Sequence, residues 1–236
     1  MNLSDFREDY RHGSLDRAQL NPSPINQFES WFRAATGEKS QTRWRKIGIA
    51  LFKLWSAICN HRPPDINAMT LATVDEAGRP STRTVLLKTL DERGFIFFTN
   101  YDSRKGRELD ANPHAAVVFH WRELGRQVRV EGEVSRASAE VSDAYFASRP
   151  RGNRIASCVS PQSQPIESWE ELQRKYVALT KKLEGQDVER PLHWGGYTLR
   201  AKAVELWVAD PVRLHECIRY ERTGAGGAWA GSRRAP

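Results

Sequence analysis

The chain has little cysteine: three residues, at 59, 158 and 217, in 236. There is no CxxC pair and no Cys/His cluster with zinc-ligand spacing. Neither a disulfide framework nor a metal site is therefore expected, and the simple reading is a reducing, cytoplasmic compartment. No apolar run reaches the roughly 18 residues needed to cross a bilayer. The opening MNLSDFREDY mixes acidic and basic residues and does not read as a signal peptide. Runs of five or more like charges are also missing. The net charge of +7 is dispersed among acidic neighbours, which suits a small phosphate-bearing ligand better than a polynucleotide. No GxGxxG, P-loop, GxSxG or HExxH occurs. If a nucleotide-like cofactor binds, arginines and strand ends must hold it.

What is present is a chain long enough to bury a core, with eight tryptophans and an ordinary 28% of charged residues. Residues 1–22 are polar and read as a mobile N-terminal segment. Pro24 opens a helix over INQFESWFRAA, with Phe28, Trp31, Phe32 and Ala35 on one stripe. RWRKIGIALFKLWSAICNHRPP (43–64) has apolar residues at helical spacing between Arg43, Arg45, Lys46 and Lys53. It reads as a helix packed on its own domain, or as one that meets a membrane surface or partner. From 69 the period becomes two. MTLATV (69–74), STRTVLLKTL (81–90) and FIFFTN (95–100) form a meander with turns at DEAGRP and DERG. A short helix follows over 103–113, capped by Asp102 or Ser103 and stopped at Asn112-Pro113. Strands are predicted at 114–121, 126–136, 197–208 and 213–222, and helices at about 138–147 and 168–184. Six to eight strands without βαβ alternation predict a mainly β (α+β) fold, an antiparallel barrel with peripheral helices.

Several stretches carry candidate chemistry. In RTVLLK (83–88), Arg83, Val85 and Leu87 would share one strand face, and Thr84, Leu86 and Lys88 the other. Arg104 and Lys105 fall in the first turn of a helix, where cations are unfavourable unless an anion offsets them. Phosphate is the natural candidate. SRPRGNR (148–154) reads as an arginine-bearing loop, SPQSQ (160–164) as a set of small hydrogen-bonding groups, and HWGGY (193–197) as a bulge or a close backbone approach to a ligand. In RLHEC (213–217), Arg213, His215 and Cys217 would share a face if the stretch is a strand. A catalytic triplet, a metal site and an accident all remain open there. Cys59 and Cys158 read as small apolar fillers.

The ordered set NAMTLATVD, GRPSTRTVLLK, GFIFFTNYDSRKGREL, NPHAAVVFHW, RQVRVEGEV, YFASRPRGN, SPQSQ, HWGGY, VELWV and RLH resembles the pyridoxine/pyridoxamine 5'-phosphate oxidase family. The match runs from FREDYRHGSL to the terminal RRAP. The resemblance implies a split β-barrel over 23–236 and a homodimer with FMN at the interface. It implies oxidation of pyridoxamine or pyridoxine 5'-phosphate to pyridoxal 5'-phosphate. Hydride would pass from substrate C4′ to flavin N5, with O2 as acceptor and H2O2 as product. By motif, Arg83, Thr84, Val85, Leu86, Leu87, Lys88, Phe98, Thr99, Arg104, Lys105, Gln127, Gln162, Ser163 and Trp207 would bind the cofactor. Lys88, Tyr145, Arg149 and Asn153 would take substrate phosphate. Arg213 and His215 would be the catalytic pair over the substrate ring, and Arg7 and Tyr10 would lie in a segment that closes over the site.

Three features depart from the pattern. After RLH the family has Asp-Arg, the Arg contacting FMN, where this chain has Glu216 and Cys217. The usual phosphate-binding Ser is Asn153, followed by RIAS where the usual run is closer to QIGA. Residues 37–64 form an insertion relative to the usual linker. Two alternatives on the same scaffold are a flavin oxidase or reductase acting on another substrate, and a non-catalytic carrier of FMN or pyridoxal 5'-phosphate.

Overall fold

A computed structural model describes residues 15, 20–36, 65–224 and 227–236. The predicted N-terminal segment with Arg7 and Tyr10, the helix at 43–64 and Cys59 lie outside these residues, save for Leu15 and residues 20–22 of the segment.

Nine strands and five α-helices make up the described chain. They are α1 (Pro24–Thr36), β1 (Ala68–Val74), β2 (Pro80–Leu86), β3 (Thr89–Asp91), β4 (Gly94–Asn100), α2 (Arg104–Ala111), β5 (His114–Trp121), β6 (Arg126–Arg136), α3 (Ala139–Ser148), α4 (Arg151–Val159), α5 (Trp169–Lys182), β7 (Trp194–Val208), β8 (Glu216–Arg222) and β9 (Trp229–Arg234). The strands join in the order β2-β1-β5-β6-β7-β4-β3, with β8 pairing β7 and β9. The β3/β4, β4/β7, β7/β8 and β8/β9 pairs are antiparallel. This is the antiparallel, mainly β class that the two-residue period predicts. Among the described residues, no helix is long and apolar enough to cross a membrane.

Several of the predicted boundaries change. The strand expected over 81–90 stops at Leu86 and resumes at Thr89. Leu87 turns inward and is buried, and the Lys88 N–H donates to the Ile96 carbonyl at 2.9 Å. The loop expected at 148–154 is instead the end of α3 at Ser148, the link Arg149-Pro150 and the start of α4 at Arg151, with Pro150 at its N-cap position. Proline is tolerated there because the first helical N–H groups have no intrahelical partner anyway. The strand expected from Arg213 begins only at Glu216.

The chain falls into two compact units. The first comprises the described residues up to Ala68, with Val118–Val130 and Ala203–Pro236. Its core sets α1 on β5. Phe28 meets Phe119 edge-on at 4.8 Å, and the Arg126 guanidinium covers Trp31 at 4.7 Å. The predicted helical stripe is what makes that contact, with Phe28 and Trp31 buried. The Trp121 indole donates to the Ile66 carbonyl at 3.0 Å, so its buried N–H has an acceptor.

The second unit comprises Met69–Val117 and Glu131–Lys202. Phe95 and Phe97 of β4 and Tyr197 and Leu199 of β7 form its centre, with Phe97 stacked on Tyr197 at 5.7 Å. A satellite cluster of Phe146, Ile155, Val188 and Trp194 packs α3 against α4. Gly195 and Gly196 pair in register with Thr99 and Phe98. A Cβ on Gly195 would collide with the Tyr101 hydroxyl, and one on Gly196 with the Phe98 ring. HWGGY is therefore a regular strand segment where aromatic rings press on the backbone, not a bulge.

Candidate active site

A cavity of about 760 Å³ opens in the second unit, within the range typical of cofactor and ligand sites. One wall is β2 and its exit, from Ser81 to Leu86 and Lys88. The others are the end of β4, the start of α2, and the α3–α4 region with the following loop.

The α2 end is cationic. Ser103 caps the helix, its Oγ accepting the Gly106 N–H. Lys105 is 7% exposed. Its ammonium donates to Thr99 Oγ1 at 3.1 Å, Gln162 Oε1 at 3.1 Å and Ser103 Oγ at 3.2 Å. All three N–H groups therefore end on neutral oxygens. Burial first, and repulsion from Arg83 second, push its pKa down to about 8 despite attraction from Glu108. An ammonium so placed is stabilised by an incoming anion.

Arg83 and Arg104 line the same end, but both already meet a carboxylate. Glu108, buried on α2, accepts from Arg83 at 3.0 Å and from Arg104 at 2.7 Å. It also accepts the hydroxyls of Thr73 and Ser81, and Arg83 donates to Thr73 as well. Burial alone would raise the Glu108 pKa. The hydrogen bonds from Thr73, Ser81, Arg104 and Arg83 outweigh it and hold the pKa near 2. Part of the negative charge that the cationic first turn demands is thus internal. Sequence reading missed Glu108. The four-residue spacing from Arg104 was its one visible sign.

Another part of the lining is aromatic. Phe98 stacks on Tyr145 at 3.9 Å and on Trp194 at 5.7 Å. The Arg149 guanidinium lies 4.5 Å above the Trp194 ring and donates to Ser157 Oγ at 2.8 Å. Asn153 and Ser157 of α4 face the same space. Trp194 and Ser157 were not singled out in the sequence. Ser157 falls between the two stretches singled out at 148–154 and 160–164, in the second half of the helix.

Fourteen of the residues expected from sequence line this one cavity: Arg83, Thr84, Val85, Leu86, Lys88, Phe98, Thr99, Arg104, Lys105, Tyr145, Arg149, Asn153, Gln162 and Ser163. Leu87 does not, since its side chain faces the core.

Gln127, Trp207, Arg213 and His215 belong to the first unit. There the His215 ring sits 4.6 Å from Trp207, and its Nδ1 accepts the Asp210 N–H at 3.0 Å. That bond places the proton of the neutral ring on Nε2. Arg213 lies in the turn before β8, so it does not share a strand face with His215 and Cys217. Among the described residues, the two non-glycines with positive φ are Ser163 at 68° and Arg213 at 67°. Both had been singled out for chemistry, and backbone strain of this kind gathers at functional sites. Cys217 is buried on β8 opposite Trp207 and Arg234. Burial pushes its thiol pKa up, against the opposing influence of Arg129, Arg234 and Arg219. Among the described residues no cluster of His, Cys, Asp and Glu could hold a metal ion.

A family profile described as pyridoxamine 5'-phosphate oxidase matches residues 60–181. A second, described as the pyridoxine 5'-phosphate oxidase C-terminal dimerisation region, matches 194–236. The chain belongs to the pyridoxamine 5'-phosphate oxidase family. It is 47% identical over 234 residues to the pyridoxine/pyridoxamine 5'-phosphate oxidase of Paraburkholderia phytofirmans, with 99% of each chain covered. Identity to the Burkholderia thailandensis protein of that name is 46% over 235 residues, again with 99% of each covered. Among solved structures it is similar to PhzG of Burkholderia lata in complex with tetrahydrophenazine-1-carboxylic acid. That match has a TM-score of 0.78 and 26% identity, and covers 97% of this chain and 100% of PhzG. A pyridoxamine 5'-phosphate oxidase-related, FMN-binding protein of Nostoc punctiforme shares the fold, with a TM-score of 0.60 and 18% identity. It is covered in full by 84% of this chain. The resemblance drawn from the motifs is therefore borne out, and the fold is the family's split barrel. As a pyridoxamine 5'-phosphate oxidase family member, the chain is an oxidoreductase.

Proposed function

We propose that the protein oxidises pyridoxamine 5'-phosphate, pyridoxine 5'-phosphate or both to pyridoxal 5'-phosphate, using FMN, with O2 as acceptor and H2O2 as product. One observation carries the reading. A single cavity holds three cationic positions without carboxylate partners among the described residues, Lys88, Lys105 and Arg149, with an aromatic wall beside Arg149. Such a cavity fits two phosphate-bearing occupants.

The residues fit FMN. Lys105, depressed in pKa by burial, is stabilised by a phosphate, and Arg83 and Arg104 stand beside it with one carboxylate between them. Thr84, Val85, Leu86, Phe98, Thr99, Gln162 and Ser163 would hold the remainder. FMN supplies the two-electron chemistry that these side chains lack. Arg149, Tyr145, Asn153 and Lys88 grip the substrate phosphate. Arg213 and His215 orient the substrate ring, His215 offering its Nε2–H as a donor. The C-terminal region matched to a dimerisation profile supports a homodimer.

The test is aerobic turnover of pyridoxine 5'-phosphate by flavin-replete protein, following pyridoxal 5'-phosphate and peroxide together. Formation of both is expected. A replete sample that forms neither overturns the reading, and flavin binding without turnover would favour the carrier alternative.

A further inference from the structure

Between β7 and β8 the chain runs through Asp210, Pro211, Val212 and Arg213. Aspartate followed by proline favours the opening of a β-turn. The turn closes as that pattern requires, the Arg213 N–H donating to the Asp210 carbonyl at 3.1 Å. Two further bonds converge on the same residue. Asp210 Oδ1 accepts the Val212 N–H at 2.8 Å, and the Asp210 N–H donates to His215 Nδ1 at 3.0 Å. The amide, the carbonyl and the carboxylate of one residue thus each fix a different point of the segment that carries Arg213 and His215. The residue before it is anchored as well, with the Ala209 N–H donating to the Gly125 carbonyl at 2.8 Å.

Packing within the described chain does not hold this turn in shape. Val212 and Leu214 are 72% and 71% exposed, and Pro211 has no N–H to give. The conformation is also unfavourable. Arg213 has a φ of 67°, in the left-handed region, at a turn position where glycine is favoured. Strain of this kind persists only where surrounding contacts over-determine it. The bonds to Asp210 supply that constraint. By holding the Val212 N–H, the carboxylate keeps the turn closed, and the Asp210 N–H stays within reach of the His215 ring. Trp207 flanks that ring at 4.6 Å. Held in this way, Nδ1 accepts and the proton of the neutral ring stays on Nε2.

We propose that Asp210 is a positioning residue that locks Arg213 in its left-handed backbone and holds His215 as the Nε2–H tautomer. The two side chains are thereby presented to the substrate ring in one fixed arrangement. The inference rests on the reading that Arg213 and His215 orient that ring.

The experiment uses the FMN-loaded full chain with isotope-labelled histidine, at alkaline pH, where an imidazole is neutral. Long-range nitrogen–proton correlation NMR distinguishes the two tautomers, and the His215 signals are assigned by their loss in His215→Gln. The parent should show the Nε2–H form alone. Asp210→Ala should convert it to a mixture of both tautomers. It should also lower kcat/KM for pyridoxine 5'-phosphate about tenfold, the scale of one lost hydrogen bond. Asp210→Asn keeps the Oδ1 acceptor without the charge, and should retain the tautomer and the turnover of the parent. The proposal is overturned if Asp210→Ala keeps the parent's tautomer, or if Asp210→Asn loses it as Asp210→Ala does. A tautomer that changes in Asp210→Ala while kcat/KM stays the same supports the positioning role. It overturns instead the reading of Arg213 and His215 as groups on the substrate ring.

Discussion

The ammonium of Lys105 and the side-chain oxygen of Gln162 meet at 3.1 Å, joining the start of α2 to the loop after α4 across the floor of the cavity. Lys105 spends its donors on Gln162, Thr99 and Ser103 and keeps its full charge for whatever enters.

Replacing Lys105 by Met should lower FMN affinity by roughly ten- to hundred-fold, the value of one charged contact. Quenching of flavin fluorescence on titration measures it. The pH dependence has a definite sign. The free lysine loses its proton near pH 8, and a bound phosphate retains it, so binding takes up a proton above that pH. FMN affinity of the parent should fall as pH rises beyond about 8, and the Lys105→Met variant should be flat through the same window. Equal slopes would remove Lys105 from the phosphate site.

Glu108 balances two arginines from a buried position, and removing it strands them. Glu108→Ala should cost about 3–5 kcal/mol of unfolding free energy, the range for breaking a buried pair, as read from urea denaturation at neutral pH. The folded carboxyl titrates near 2, below its ordinary 4.5. Its contribution is complete above about pH 4.5 and is lost as pH falls toward 2. Acid unfolding of the variant should therefore be shallower than that of the parent over that interval.

Cys217 is 5% exposed and already lies in the field of Arg129, Arg219 and Arg234. Arg129 is in turn paired with Glu205, and Arg219 with Glu221. A fourth guanidinium would be buried among like charges. Cys217→Arg should lower the melting temperature, and adding Arg219→Ala should recover part of the loss. A more stable Cys217→Arg variant that binds FMN more tightly would show that the thiol leaves a real vacancy in the flavin shell.

Gly195→Ala drives a methyl group into the Tyr101 hydroxyl and toward Ser142. Overpacking of this kind costs about 1–3 kcal/mol, measurable as a shift of the unfolding midpoint. If the variant is as stable as the parent, the β7 strand at this point is looser than its contacts indicate.

Much of the fold was legible because strand and helix periods are local. The alternation of HAAVVFHW and RQVRVEGEV translates directly into β5 and β6. The stripe of Phe28 and Trp31 likewise becomes the buried face of α1. What failed was punctuation. Pro150 and Gly152 look like loop signals, yet proline is at home at a helix entrance, and α4 runs on to Val159. RLHEC alternates like a strand, but Arg213 sits at positive φ in a turn closed by Asp210, which only tertiary context imposes. Within the site, the cations were visible as residue types. The groups that orient them were not: Glu108 and Ser157 act through contacts that depend on register and helix phase.

Trp194 belongs at once to the cluster of Phe146, Ile155 and Val188 and to the wall that carries Arg149. At this wall the hydrophobic core and the binding surface are one layer of atoms. A substitution at Val188, which does not line the cavity, would tilt the indole and with it the guanidinium. Ligand preference and thermal stability should therefore drift together when this cluster is varied, so the wall cannot be reshaped for a different ligand while the packing behind it stays as it is.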